Sequence, residues 1–235
     1  MLLSLKYYGD PVLRKKGERV EEVTPEIKQF IEDMLKTTAE HNGIGLAAQQ
    51  VGEAIQLTVI DIRAAEDRPS TLELDGQEAD PESIMPLTLI NPEITPLNDP
   101  VPGGEGCLSF PEMYAEIDRP ERIAVKATDR NGDPIEFTCG GLLARVVQHE
   151  TDHLHGILFI DRMDRETKRD LQEQLDLLKK KKDLRIIEAK NNDSDHDYSL
   201  RQVSGGILIQ TADNPAEDPA SWQTVSRAHA RQQTC

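Results

Sequence analysis

The sequence predicts an α+β fold: short mixed and antiparallel strands packed around a central helix, with further helices at the N- and C-terminal ends of the domain. Three observations predict it. Ile27, Phe30, Ile31, Met34 and Leu35 repeat at the spacing of one helical face. Two strand-like runs, Ile123 to Thr128 and Ile135 to Thr138, flank Arg130-Asn131-Gly132-Asp133, a strong hairpin-turn signal. The apolar run Leu142, Leu143, Ala144, Val146 and Val147 then marks a buried helix from Gly141 to His155.

Taken in order, Thr24-Pro25 reads as an N-cap followed by proline at the first helical position, and Asn42-Gly43 as the stop. His41, at that helix end, would be a favourable cation near the C-terminal dipole. Ile55 to Ile60 and Leu87 to Ile90 are strand-like. Residues 62–86 between them are acidic, punctuated by Pro69, Gly76 and Pro81, and read as a long polar excursion. A third helix is expected from about Asp164 to Lys182, with Leu171, Leu175 and Leu178 on one face. From Asp183 onward the chain is polar and poorly periodic, with only Ile207 to Ile209 and Trp222 to anchor it. It is therefore expected to be a disordered tail, giving one folded domain over 1–182 and a tail over 183–235.

Acidic residues outnumber basic ones 43 to 27 in this chain of 235. The formal charge of −16 argues against a whole surface made for DNA or for an anionic membrane. The opening Met1 to Lys6 has neither a basic start nor a long apolar run, and no stretch approaches the roughly 20 apolar residues of a membrane span. Three widely spaced cysteines, Cys107, Cys139 and Cys235, fit free or metal-bound thiols in a reducing compartment better than a disulfide framework. A soluble, cytoplasmic protein is expected.

The strongest chemical signal is His149-Glu150-Thr151-Asp152-His153, an H-E-x-x-H on a predicted helix. Spacing of i and i+4 stacks both imidazoles on one face, one turn apart, where they can share an ion. Glu150, beside the first, can act as proton acceptor to a water at that ion. The motif also occurs by chance in ordinary helices, so a third ligand must decide. A metzincin would need histidine at position 159, which is Phe159. A thermolysin-like peptidase would take Glu166 or Glu173, but both fall in a Lys/Arg-rich helix where solvated ion pairs are the plainer role.

Cys107, in Glu105-Gly106-Cys107-Leu108-Ser109 after Gly103-Gly104, is the better third ligand, because a tight backbone can bring its thiolate close to an ion. Cys107, His149 and His153 leave one coordination position open, as catalytic sites do. Taken alone, Cys107 could be a small buried hydrophobe, the fate expected of Cys139. A binding protein with a purely structural metal would normally supply a fourth ligand and has no use for Glu150. In Gly43-Ile44-Gly45-Leu46-Ala47-Ala48-Gln49-Gln50 the small residues allow close backbone approach to a ligand, and the Gln50 amide could donate to an oxyanion; taken alone, the segment could as well be a phosphate loop or a helix-packing segment. No Lys-Ser/Thr follows, so it is not a P-loop.

Residues 43–50, 105–109 and 148–153, in this order and at these separations, resemble the motifs of the peptide deformylase family, as does Gly9 to Arg14 at the start. The resemblance spans about residues 5–180. It implies hydrolysis of the N-formyl group of N-formylmethionyl peptides and nascent chains, with Fe2+ as the physiological ion and Zn2+, Ni2+ or Co2+ able to occupy the same site. Glu150 would take a proton from the attacking water and hand it to the leaving amine. Gln50 and the backbone N–H of Leu108 would join the ion in holding the oxyanion, a donor of this kind being worth about 2.7–4 kcal/mol of barrier. Ile44 and Gly45 would bind the substrate backbone, and Val146 would help wall the methionine pocket.

Asp152 is not expected to ligate but to pair with an arginine, Arg119 being the candidate. Two features depart from the family. The excursion at 62–86 is longer than in compact members, and Arg145 stands beside the pocket wall, where it is expected to point to solvent. Lys179, Lys180, Lys181 and Lys182 read first as a solvated run complementing a helix dipole. The resemblance adds that such a helix can dock on the ribosome.

Overall fold

The computed structural model describes residues 1–65, 67–180, 202–203 and 206–207. By its contacts the chain divides into two units, with the boundary after Lys182. In the second, Gln202–Val203 pairs antiparallel with Gly206–Ile207. All that follows concerns the first.

Helix α1 (Pro25–Glu40) begins where Thr24 caps it, its side chain accepting from the Ile27 N–H, with Pro25 in the first turn. It ends at His41, the exposed C-cap, after which Asn42 takes a left-handed φ of 54°. Ile31 and Met34 are the fully buried members of its apolar face and pack on Leu46, Leu57 and Val59 of the first two strands.

Those strands are β1 (Gly45–Ala47) and β2 (Leu57–Ile60). The segment expected to be a polar excursion instead supplies β3 (Ser70–Leu74) and β4 (Gln77–Ala79). Leu72 and Leu74 alternate with polar residues, and Asp75-Gly76, both at positive φ, form the two-residue turn that joins the strands. The hairpin signal lay inside an acidic stretch whose charge masked it. Next come β5 (Leu87–Pro96), β6 (Pro100–Val101), β7 (Gly104–Cys107), β8 (Phe110–Glu116), β9 (Arg119–Pro120), β10 (Arg122–Thr128) and β11 (Pro134–Gly140). Seven strands make one antiparallel sheet in the order β1-β2-β5-β10-β11-β3-β4. The β3–β4 hairpin extends its far edge, with Cys139 opposite Leu72. The pairs β6–β9 and β7–β8 stand outside it.

Helix α2 (Gly141–Leu154) lies across the sheet, touching β1, β2, β3, β10 and β11. Every residue from Leu142 to Leu154 is buried, so the helix is central and not merely amphipathic. Its apolar half joins Ile60, Leu72, Leu89, Ile123 and Val125 in the main core. Its C-terminal carbonyls are closed by a Schellman arrangement: Ile157 N–H donates to Asp152 O at 2.9 Å and Gly156 N–H to His153 O at 3.0 Å, with Gly156 left-handed. The expected third helix is broken: α3 (Arg165–Asp170) and residues 172–180 are helical on either side of a turn at Leu171. Leu171, Leu175 and Leu178 do share a face, packed on a second core with Phe110 and Phe159. Among the described residues no helix is long and apolar enough to cross a membrane.

Candidate active site

Helix α2 and the β7–β8 hairpin bring three ligand-bearing side chains together. Ligand atoms of Cys107, His149 and His153 lie within 4.8 Å of one another, all buried. Cys107 Sγ is 3.3 Å from His153 Nε2. His149 donates its Nδ1–H to Glu105 Oε2 at 2.9 Å, which fixes the tautomer and turns the Nε2 lone pair to the opposite edge of the ring. That Nε2 is buried without a partner among the described residues, an orphan that a cation would satisfy.

Electrostatics point the same way. Burial alone would lower the His149 pKa, but the nearby Cys107 sulfur and the Glu105 carboxylate outweigh it and hold the pKa well above the usual imidazole value. The site therefore favours positive charge at this ring. His153 is held well below its usual value by burial and by the charges of His149 and Arg119, so it stays a neutral donor. A thiol and two imidazoles, each with one buried nitrogen that has no partner among the described residues, fit a divalent transition metal.

Glu150 is fully buried and neither carboxyl oxygen has a partner among the described residues. Burial pushes its carboxyl up to about 7, against the pull of His149 and Arg119. Gly45 explains how close β1 comes: a Cβ there would lie 2.5 Å from Glu150 Oε1 and 2.9 Å from Val146 Cγ1. Gly45 thus sits against both Glu150 and Val146, and Ile44 and Val146 are buried in the main core. Gln50, in the single 3-10 turn Ala48–Val51 after β1, is aimed by the end of that strand, its Oε1 accepting from the Ala47 N–H at 2.7 Å. Its Nε2 then faces Cys107 Sγ at 3.5 Å and Ser109 Oγ at 3.4 Å. Leu108 lies in the turn between β7 and β8, directly after Cys107. All nine residues singled out in the sequence for metal, catalysis or substrate therefore fall on α2, β1 with its flanks, or the β7–β8 hairpin.

Asp152 is not at the ligand cluster. It pairs with Arg119 at 2.8 Å, as expected, and with Arg162 at 2.6 Å. Glu105 has a larger part than its place in a motif suggested. Its oxygens take Arg119 Nε at 2.6 Å, Arg119 Nη2 at 3.0 Å, Arg145 Nη1 at 3.0 Å and His149 Nδ1. Burial would raise its pKa; hydrogen bonds from His149 and Arg119 win, and it stays a carboxylate. A glutamate two residues before the cysteine ligand was the only sequence signal, and charge alone does not reveal burial. Arg145, expected to point to solvent, is instead buried and donates to Glu105 and to three backbone carbonyls. Glu166 is exposed with Arg169 3.9 Å away, and Glu173 is exposed, so neither reaches the cluster.

Residues 2–169 match the family model described as polypeptide deformylase. The chain belongs to that family. It is 48% identical over 170 residues to a peptide deformylase of Opitutus terrae, covering 72% of this chain and 88% of the relative. A second deformylase, from Methylacidiphilum infernorum, is 42% identical over 180 residues, 77% of this chain and 94% of the relative. Among solved structures, a Synechococcus elongatus peptide deformylase in complex with actinonin superposes with a TM-score of 0.62 at 40% identity, covering 73% of this chain and 85% of that one. Residues 169–235 of this deformylase match a different family model, described as AICARFT/IMPCHase bienzyme. That match takes in the segment expected to be a tail, whose structure lies outside the described residues apart from the short pairing at 202–207.

Proposed function

We propose that Glu150, Gln50 and the Leu108 backbone N–H, with a divalent ion on Cys107, His149 and His153, perform the deformylation that family membership assigns to this chain. The reaction hydrolyses the N-terminal formyl group of formylmethionyl polypeptides and releases formate. The observation that carries these roles is the convergence of a thiol and two imidazoles beside a buried carboxyl with no partner among the described residues.

A bound divalent ion supplies Lewis acidity, bringing the pKa of water near neutrality and polarising a carbonyl oxygen. Glu150, with a carboxyl pushed up to about 7, is matched to accept a proton from water at neutral pH and return it to the departing amine. The Gln50 amide and the Leu108 N–H donate to the oxyanion that grows on the formyl oxygen. Strand β1 ends the sheet order, so its second edge can pair with an extended peptide beside Ile44 and Gly45. Val146 would form part of the methionine pocket.

Fe2+ is the physiological ion in this reading, and Zn2+, Ni2+ or Co2+ suit the same donors. The enzyme acts in the cytoplasm on nascent chains. Residues 1–182 form the catalytic domain, and 183–235 is an appended segment with no part in the chemistry. Lys179 and Lys180 are exposed in the helical segment 172–180, whereas Lys181 and Lys182 lie outside the described residues. If the four lysines dock on ribosomal RNA, their change to glutamate should abolish salt-sensitive co-sedimentation with ribosomes and spare activity on a free peptide. Unchanged association would leave a solvated helix end. The decisive assay is anaerobic: the Fe2+-loaded chain should release formate and a free amine from a formyl-Met peptide. Cleavage of an internal peptide bond without formate would favour a zinc peptidase.

A further inference from the structure

Arg145 takes no part in the chemistry above, yet a guanidinium is costly to bury without a compensating role. It is 7% exposed on α2, one turn before His149. Its Nη1 donates to Glu105 Oε1 at 3.0 Å, to Ile117 O at 2.7 Å and to Gly103 O at 3.3 Å, while Nη2 donates to Val101 O at 3.0 Å. Gly103 and Ile117 pair with each other through both backbone hydrogen bonds, at 2.9 and 3.1 Å, at the base of the β7–β8 hairpin that carries Cys107. One side chain thus joins the helix that bears two ligands to the hairpin that bears the third.

The fit is mutual. A Cβ on Gly103 would lie 2.5 Å from Arg145 Nη2, 2.6 Å from Cζ and 2.8 Å from Nε, so the guanidinium fills the space any side chain there would need. We propose that Arg145 is a positioning residue for the metal centre: through Glu105 and the carbonyls of Val101, Gly103 and Ile117 it sets the separation between the His149–His153 helix and the Cys107 hairpin. The proposal rests on those three residues being the ligands. Arg119 still neutralises Glu105 when Arg145 is gone, so the effect expected is on ligand geometry and not on the charge of the carboxylate.

The test is the loss of Co2+ to excess chelator, read with the ligand-field and thiolate charge-transfer bands of the Co2+-loaded protein. Arg145→Met should release Co2+ about 10–100-fold faster, the range for partners of metal ligands, with shifted bands. Arg145→Lys keeps the charge but cannot span four acceptors, and should fall between. Gly103→Ala should speed release in the parent and add little in the Arg145→Met background, a non-additive cycle. Folded variants that keep the parent's release rate and spectrum would overturn the proposal and make Arg145 a filler. Should Arg145→Met fail to fold, Arg145→Lys and Gly103→Ala decide by the same readings. A parent protein with no thiolate band would overturn the ligand assignment itself, a result distinct from the others.

Discussion

Replacing Glu105 by glutamine keeps its shape and removes its charge, and the structure sets the cost. Two donors meet each carboxylate oxygen: Arg119 Nε and Arg145 Nη1 on Oε1, Arg119 Nη2 and His149 Nδ1 on Oε2. A glutamine offers one oxygen and one NH2, so in either orientation two of the four donors face another donor. Hydrogen bonds to a charged group contribute about 1.5–3 kcal/mol each, and breaking a buried ion pair from one side costs about 3–5 kcal/mol. The side chain is fully buried, so water does not screen the loss. We expect a destabilisation of about 3–5 kcal/mol, and a melting temperature lower by roughly 6–20 °C at about 2–4 °C per kcal/mol for a domain of this size. If the NH2 faces His149 Nδ1, the imidazole loses its fixed tautomer, and Co2+ affinity should fall about 10–100-fold. Circular dichroism melts in chelator isolate the stability term, and competition with a chromophoric chelator reads the affinity. A melting shift below about 2 °C, under 1 kcal/mol on the same scale, together with unchanged Co2+ affinity would refute the idea that Glu105 holds this centre together.

Glu150→Ala should keep full metal stoichiometry and lose about 10²–10⁴-fold in turnover, because the carboxylate moves a proton and holds no ion; near-normal rates with intact metal would remove it from the mechanism. Cys107→Ala should lower metal content measured by atomic absorption, while Glu166→Ala and Glu173→Ala should not, since both glutamates are exposed away from the cluster. The reverse pattern would sink the assignment of the ligands. Truncation after Lys182 should leave hydrolysis of a short formyl-Met peptide close to that of the full chain, because every residue placed at the site precedes it; a collapse in soluble yield would instead make the appended segment part of the folded core.

What the sequence determined by itself is whatever depends on short-range geometry. Thr24-Pro25 starts α1 because a cap is satisfied within three residues. His149 and His153 share a face because 3.6 residues make a turn, whatever surrounds the helix. Family motifs added Cys107 and Gln50, far apart in the chain, before any fold could join them. Only the tertiary structure decided what those residues touch. The acidic stretch before Leu87 became the sheet's far edge because Leu72 found a place opposite Cys139, a partner 67 positions away that no local pattern names. Arg145 carries a charge expected at the surface, and Glu105 one whose burial no local pattern announces. They are buried because each satisfies the other, and because His149 and three carbonyls supply the remaining partners. Burial of a charge is a property of the completed set of neighbours, and that set exists only once the β7–β8 hairpin has closed on α2.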